Sequence, residues 1–246
     1  MSADQTLASA KQQARNELLV FIHIFKTAGT SIKQNLKDHF GEDNVDFLND
    51  GIVDDKHFEE RVDKAVEDHC AAAMAGHFQF ARISEALYYA GETRKIVYFS
   101  FIRDPLQRLI SAYNYFYTTS DEKWHHEARS MGIEDFYRFL LEADRELCLN
   151  HQCRFLSANA EPFFESARDT IERNFAFVGL TENLRLAGNA ARTRLGFALD
   201  SDTKLNTIER VIDLPALKSS TVDFLESLIK EDRKLYRHVA RSWTRG

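Results

Sequence analysis

Leu18-Leu19-Val20-Phe21-Ile22-His23-Ile24, followed at once by Phe25-Lys26-Thr27-Ala28-Gly29-Thr30-Ser31, is the stretch from which the fold of this chain is read. The first seven residues form a short apolar run rich in branched and aromatic side chains, as a strand buried on both faces of a parallel sheet requires. A polar turn follows. Ile32, Leu36 and Phe40 then recur at spacing four before Gly41, which is the pattern of a helix that buries one face and ends on a glycine cap. Strand, turn and helix in this order open an α/β unit.

Working outward, Val45 to Leu48 reads as a short strand, residues 56 to 68 as a helix, and Cys70 to Gly76 as a small-residue strand ending at His77. Lys95 to Ile102 is the clearest later strand. Behind it Asp104 stands as N-cap, Pro105 occupies the first helical position, and Leu106, Leu109, Ile110 and Tyr113 form the apolar stripe. Residues 118 to 133 read as a loop, and 134 to 173 as several helices broken near Asn159 and Pro162. Phe175 to Leu180 is one more strand. A helix over about 181 to 195 and a long amphipathic one over about 219 to 240 follow, the latter turning Leu225, Ile229, Leu235 and Val239 inward.

The alternation predicts a single α/β domain over residues 18 to 246, with a central parallel sheet flanked by helices and a helical C-terminal half. Residues 1 to 17 form a polar N-terminal segment. In such sheets ligands bind at the carboxyl ends of strands.

Composition narrows the function. The 246 residues are 44% hydrophobic and 28% charged, as in an ordinary globular enzyme. Lys and Arg number 32 against 38 Asp and Glu, a formal charge of −6, which argues against a platform for nucleic acid or an anionic membrane. Cys70, Cys148 and Cys153 have no paired metal-type spacing and fit reduced thiols. Met1 to Glu17 lacks the apolar core of a signal peptide, and no window reaches the roughly 18 apolar residues of a membrane span. The expected place is the cytoplasm, and oligomeric state is left open.

The turn Phe25-Lys26-Thr27-Ala28-Gly29-Thr30-Ser31 brings backbone amides, a cation and hydroxyls to a helix N-terminus, which suits an anion. Gly29 allows close approach, and Lys26 can neutralise charge developing on a leaving group. The G-x-x-x-x-G-K-[ST] spacing of a Walker A loop is missing, since the lysine precedes the glycine. A second candidate runs from Arg103 to Tyr113. Arg103 ends a strand and Ser111 lies two turns into the next helix, so a guanidinium fork and a hydroxyl can converge on one phosphate.

Together the two segments resemble the paired donor-binding motifs of sulfotransferases that use 3′-phosphoadenosine 5′-phosphosulfate (PAPS), in particular the carbohydrate type that includes the heparan and chondroitin enzymes. Ile22 to Ser31 resembles the 5′-phosphosulfate loop, and Arg103 to Tyr113 the 3′-phosphate motif. The resemblance implies a P-loop-like fold and PAPS held by Lys26, Thr27, Ala28, Gly29, Thr30, Ser31, Arg103 and Ser111. It also implies sulfuryl transfer to a hydroxyl of a carbohydrate or small metabolite, without metal. Phe25 departs from the family, which has proline there. Weaker similarity at Gln152 to Leu156 and at Phe175 to Glu182 bears on fold more than on chemistry. Asn206, in Lys204-Leu205-Asn206-Thr207, stands where related chains return a loop toward the nucleotide.

Deprotonating an acceptor calls for a base, and histidine has an unperturbed pKa of about 6.5. His77 of Gly76-His77-Phe78 follows a strand, opens onto the edge where the phosphate motifs lie, and resembles the family's catalytic Gly-His position. His23 reads as a packed core group inside the first strand. His125-His126-Glu127, in a polar loop, is not assigned a metal. Two rival readings stand beside sulfuryl transfer: a P-loop-like small-molecule kinase, and a catalytically inactive nucleotide-binding scaffold.

Overall fold

A computed structural model describes residues 16–48, 55–67, 71–197, 199 and 211–243. Asn206, Cys70 and the polar segment through residue 15 lie outside the described residues. Strands β1 (Glu17–Ile22), β2 (Val45–Leu48), β3 (Ala73–Gly76), β4 (Lys95–Ile102) and β5 (Phe175–Leu180) form one sheet in the order β2-β3-β1-β4-β5. Every neighbouring pair is parallel. From β1 the chain builds out to β2 and β3 on one side and then crosses to β4 and β5 on the other. The carboxyl ends of β1 and β4 therefore flank the topological switch point, where such sheets bind ligands.

The helices are α1 (Gly29–Phe40), α2 (Asp55–Glu67), α3 (Phe80–Tyr89), α4 (Pro105–Thr118), α5 (His125–Ser130), α6 (Ile133–Ala143), α7 (Arg145–Cys148), α8 (His151–Leu156), α9 (Phe164–Asn174), α10 (Leu184–Leu195), α11 (Ser219–Leu228) and α12 (Lys230–Trp243). Side chains alternate across a strand, so β1 feeds two cores. Leu18, Val20 and Ile22 pack with α2, α3, α8, α9 and α12, whereas Leu19 and Phe21 pack with α1 and α10. All five are fully buried, which is why the strand reads as an unbroken apolar run. A third core, formed by α4, α5, α6 and α11, makes up much of the helical half.

The expected strands are present with small shifts of boundary, and Gly41 caps α1 at φ 87°. Two readings are corrected and one helix is added. The loop read at 118–133 contains α5, whose Ala128 is buried against the third core. The helix α3 was not anticipated in the sequence. The long helix read over 219–240 is two helices broken at Ile229, whose backbone leaves the helical region at φ −123°, ψ 24°.

The cause of that break is Asn150. Its side-chain oxygen accepts from Glu231 N at 3.0 Å and Asp232 N at 3.3 Å, while its own N–H donates to Leu228 O at 3.0 Å. It thereby caps the start of α12 and the end of α11 together. Leu225 and Ile229 face the third core, and Leu235 and Val239 face the sheet core. Among the described residues no helix is long and apolar enough to cross a membrane. Cys148 and Cys153 are free and buried.

Candidate active site

The loop after β1 is held by unusual backbone conformations. Lys26 (φ 69°) and Ala28 (φ 64°) both occupy the left-handed region, which is costly for side chains with a Cβ. Thr27 between them is fully buried, and its N–H and its hydroxyl both donate to Ile24 O, at 3.3 and 2.7 Å. The Thr27 hydroxyl thus shapes the loop. The loop folds back on the strand end, and α1 starts from Ala28 without a side-chain cap, its positive dipole end at the sheet edge.

Gly29 is required by space. A Cβ there would lie 1.7 Å from His23 Nε2, so the helix start rests on the His23 imidazole. His23 is placed one residue beyond β1, and it is a packed group as read, buried and stacked on Phe21. Its ring centre lies 3.8 Å from that of His77, with 32° between the planes. Burial first, then the charges of His77, Lys33 and Lys26, hold His23 well below the ordinary imidazole value. For His77, burial and then Lys33 lower the pKa to about 4, while a hydrogen bond to the His23 backbone works the other way. A bond of that sign has the imidazole N–H donating to the carbonyl. The other ring nitrogen then carries a lone pair, the form a base needs.

Lys26 turns its ammonium toward an aromatic wall: Nζ lies 4.3 Å from the Tyr115 ring centre and 5.6 Å from that of Phe25. Burial, and next the nearby Arg103 charge, lower its pKa to about 8, and Glu122 opposes them. Arg103 Nη1 donates to Lys26 O at 3.4 Å, which ties the end of β4 to the loop after β1. Phe25 also contacts His77 edge-on, with ring centres 6.2 Å apart. Lys26, Arg103 and His77 therefore meet at the ends of three adjacent strands.

The turn carrying Arg103 is clamped from outside. Gln152, fully buried, accepts from Arg103 N at 2.9 Å and donates to Arg103 O at 3.0 Å. Gln152 is held in turn by Asp232, whose carboxylate accepts from Gln152 N at 3.2 Å and Cys153 N at 2.8 Å at the start of α8. Burial raises the Asp232 pKa, against the Arg108 charge and those amide bonds. One residue on, Asp104 N donates to Glu182 at 2.7 Å, and the Asp104 carboxylate caps α4 by accepting from Gln107 N at 3.0 Å. Arg233 pairs with both Asp104 and Glu226.

The structure thus brings Lys26, Thr27, Ala28, Gly29, Arg103 and His77 together. Ser31 is buried near the start of α1, Thr30 is exposed, and Ser111 is half-buried two turns into α4. His125 Nδ1 lies 2.9 Å from Phe116 O, anchoring α5 to α4. Among the described residues no group of three or more His, Cys, Asp or Glu side chains is arranged around a possible metal ion. Sequence reasoning missed Gln152, Glu182, Tyr115, Glu122 and the stacking of His23. The available signal for Gln152 was the weak family similarity at Gln152 to Leu156, which reads as bearing on fold more than on chemistry.

A parallel sheet with a strained cationic loop after its first strand and a clamped arginine after its fourth defines a single-domain α/β protein of P-loop-like build. The chain belongs to the sulfotransferase family: a family model described as "Sulfotransferase family" matches residues 13–239. No curated protein sequence matches it. Solved structures similar to the chain include mouse sulfotransferase SULT7A1 complexed with PAP, with 12% identity, 98% of this chain and 94% of that one covered, and a TM-score of 0.47. A sulfotransferase from Alicyclobacillus acidocaldarius is similar at 15% identity, with 89% and 98% covered and a TM-score of 0.42.

Proposed function

We propose that this member of the sulfotransferase family moves a sulfuryl group from PAPS onto a hydroxyl of a carbohydrate or small metabolite, with His77 as general base and without a metal ion. The observation that carries the reading is the meeting of Lys26, His77 and Arg103 at the ends of β1, β3 and β4. A donor with phosphate at both ends of its ribose fits two cationic positions on neighbouring strand ends, with a helix N-terminus between them.

PAPS supplies the sulfuryl group and departs as adenosine 3′,5′-bisphosphate. Lys26, with the amides of Ala28 to Ser31 and the α1 dipole, faces the 5′ side, where negative charge grows as the bond to sulfur breaks. Arg103 and Ser111 take the 3′-phosphate. His77, its tautomer set by the His23 carbonyl, accepts the acceptor's proton on its other ring nitrogen. A low imidazole pKa keeps that nitrogen unprotonated at neutral pH, and an anion bound beside it favours the imidazolium that forms. The net charge of −6 suits a neutral sugar or alcohol better than a long polyanion.

The test is turnover of labelled PAPS across a panel of sugars and alcohols in excess chelator, with ATP as alternative donor. Sulfated product without added metal supports the reading. Phosphorylated product from ATP would favour a kinase, and absence of turnover with intact nucleotide binding an inactive scaffold.

A further inference from the structure

Beside Lys26 lies a pair of residues that the proposed chemistry leaves unused. Tyr115, in the last turn of α4, presents its ring to the Lys26 ammonium at 4.3 Å. Its hydroxyl donates to Glu122 Oε1 at 2.5 Å, and Glu122 lies in the short segment joining α4 to α5. Phe25 packs edge-on against the Tyr115 ring with centres 5.3 Å apart, and its ring lies tilted against Phe116 at 5.5 Å. The ring is therefore fixed from one side by Phe25 and at its tip by a carboxylate.

We infer that Tyr115 and Glu122 are positioning residues for Lys26, forming a seat that keeps its side chain charged and aimed at the ends of β1 and β4. The physical reason is a competition. Lys26 is half-buried and shares its surroundings with Arg103, so both desolvation and like charge disfavour its ammonium. A ring face in a partly desolvated place returns part of that cost. The Glu122 carboxylate supplies the opposing charge. It is fixed to the far end of the ring and so favours the ammonium without having to displace it from the donor's side. Among the described residues, the other ionisable groups around Lys26 are His23 and His77 at the ends of β1 and β3 and Arg103 after β4, with Lys33 on α1 bearing on the histidines, and Glu122 is the acidic group that bears on Lys26.

The role given to the seat rests on the sulfotransfer reading, whereas the seat itself does not, so the experiment reads both. Competitive labelling of lysines with acetic anhydride at pH 6 to 11, quantified by mass spectrometry, measures the titration of Lys26 in the folded protein. Expected is a midpoint near the lysine's lowered value in wild type, and a midpoint at distinctly lower pH in Glu122→Gln, which removes the favourable charge. Tyr115→Leu should shift it in the same direction, and Tyr115→Phe, which keeps the ring, by less. In the transfer assay kcat/KM for PAPS should fall at high pH as Lys26 loses its proton, and that limb should move acidward in Glu122→Gln. Tyr115→Leu should lose about 5- to 30-fold in kcat/KM.

Thermal melting verifies that each variant is folded. If Lys26 titrates at the same pH in wild type, Glu122→Gln and Tyr115→Leu, the seat is overturned. If Lys26 shifts as expected but wild type transfers no sulfuryl group, the seat stands and the sulfotransfer reading falls.

Discussion

The side-chain amide of Gln152 closes a reciprocal pair with the backbone of Arg103, accepting from its N–H and donating to its carbonyl across the 49 residues that separate them. Both partners of the Arg103 peptide groups are thus one buried side chain, and the direction in which the guanidinium leaves β4 depends on it.

Gln152→Leu should therefore unfasten the Arg103 turn. Loss of both bonds leaves two backbone groups to find other partners, at a cost of about 1–3 kcal/mol in stability. Affinity for adenosine 3′,5′-bisphosphate should drop about tenfold, or roughly 1.4 kcal/mol, and Arg103→Ala should cost about 2 kcal/mol or more. Adenosine 5′-phosphate should bind nearly as before in both. Calorimetry giving equal losses for the two nucleotides would mean that Arg103 does not serve the 3′-phosphate.

His77→Ala should separate chemistry from binding. Removal of a general base costs on the order of 10²- to 10⁴-fold in turnover, with adenosine 3′,5′-bisphosphate binding close to wild type. Lys26→Ala should lose turnover and some affinity together, because its charge meets the donor in ground and transition states alike. Retention of more than about a tenth of wild-type kcat by His77→Ala at saturating substrates places the base elsewhere.

Gly29→Ala sets a methyl group against the His23 ring, and the double variant His23→Ala, Gly29→Ala gives it room. The single change should cost about 1–3 kcal/mol through overpacking, and the pair should recover part of that loss. Chemical denaturation of all four proteins measures the coupling. Simple additivity would show that the ring moves aside freely and that the glycine answers to something else.

Acid should destabilise the fold earlier than carboxylate titration alone requires. Burial depresses His23, His77 and His151, with His77 at about 4. An unfolded chain protonates its histidines near pH 6.5. Between there and about 4 the unfolded state holds more protons, and stability falls as pH falls, by about 1.4 kcal/mol per pH unit for each histidine fully coupled in this way. Melting temperatures across pH 7 to 4 should show this decline, and His77→Gln should flatten it. An unaltered slope in that variant would mean His77 titrates normally.

The strands were legible because burial on both faces imposes a composition. Leu18 to Ile22 has no polar position in it, and the segment Lys95 to Ile102 is polar only at its open start and at Ser100, whose hydroxyl donates to Ile22 O at 2.7 Å. The cap at Asp104 and Pro105 was legible because it is local chemistry. The break at Ile229 was not, because Leu225, Ile229, Leu235 and Val239 are all buried and preserve an apolar stripe across it, while its cause, Asn150, is about 80 residues away. The packing of His23 was legible with the strand, although β1 ends one residue before it. Its N–H continues the ladder by donating to Gly76 O at 2.8 Å, so its backbone is strand-like. Of the site, the residues in contiguous motifs were legible, and the groups that hold them, Gln152, Glu182 and Glu122, arrive from elsewhere in the chain.

The hold of Asp232 on the start of α8 spans 79 residues at Cys153 N, and the pairing of Arg233 with Asp104 spans 129. A ribosome makes the loop after β1, His77 and Arg103 early. At about 5–20 residues per second, Asp232 follows Arg103 by seconds to tens of seconds. During that interval the sheet can form, but the Arg103 turn lacks its outer fastening, because Asn150 has no α12 to cap and Gln152 no carboxylate behind it. A nascent chain stalled before residue 230 would therefore carry the loop after β1, His77 and Arg103 and still have the Arg103 turn unfastened.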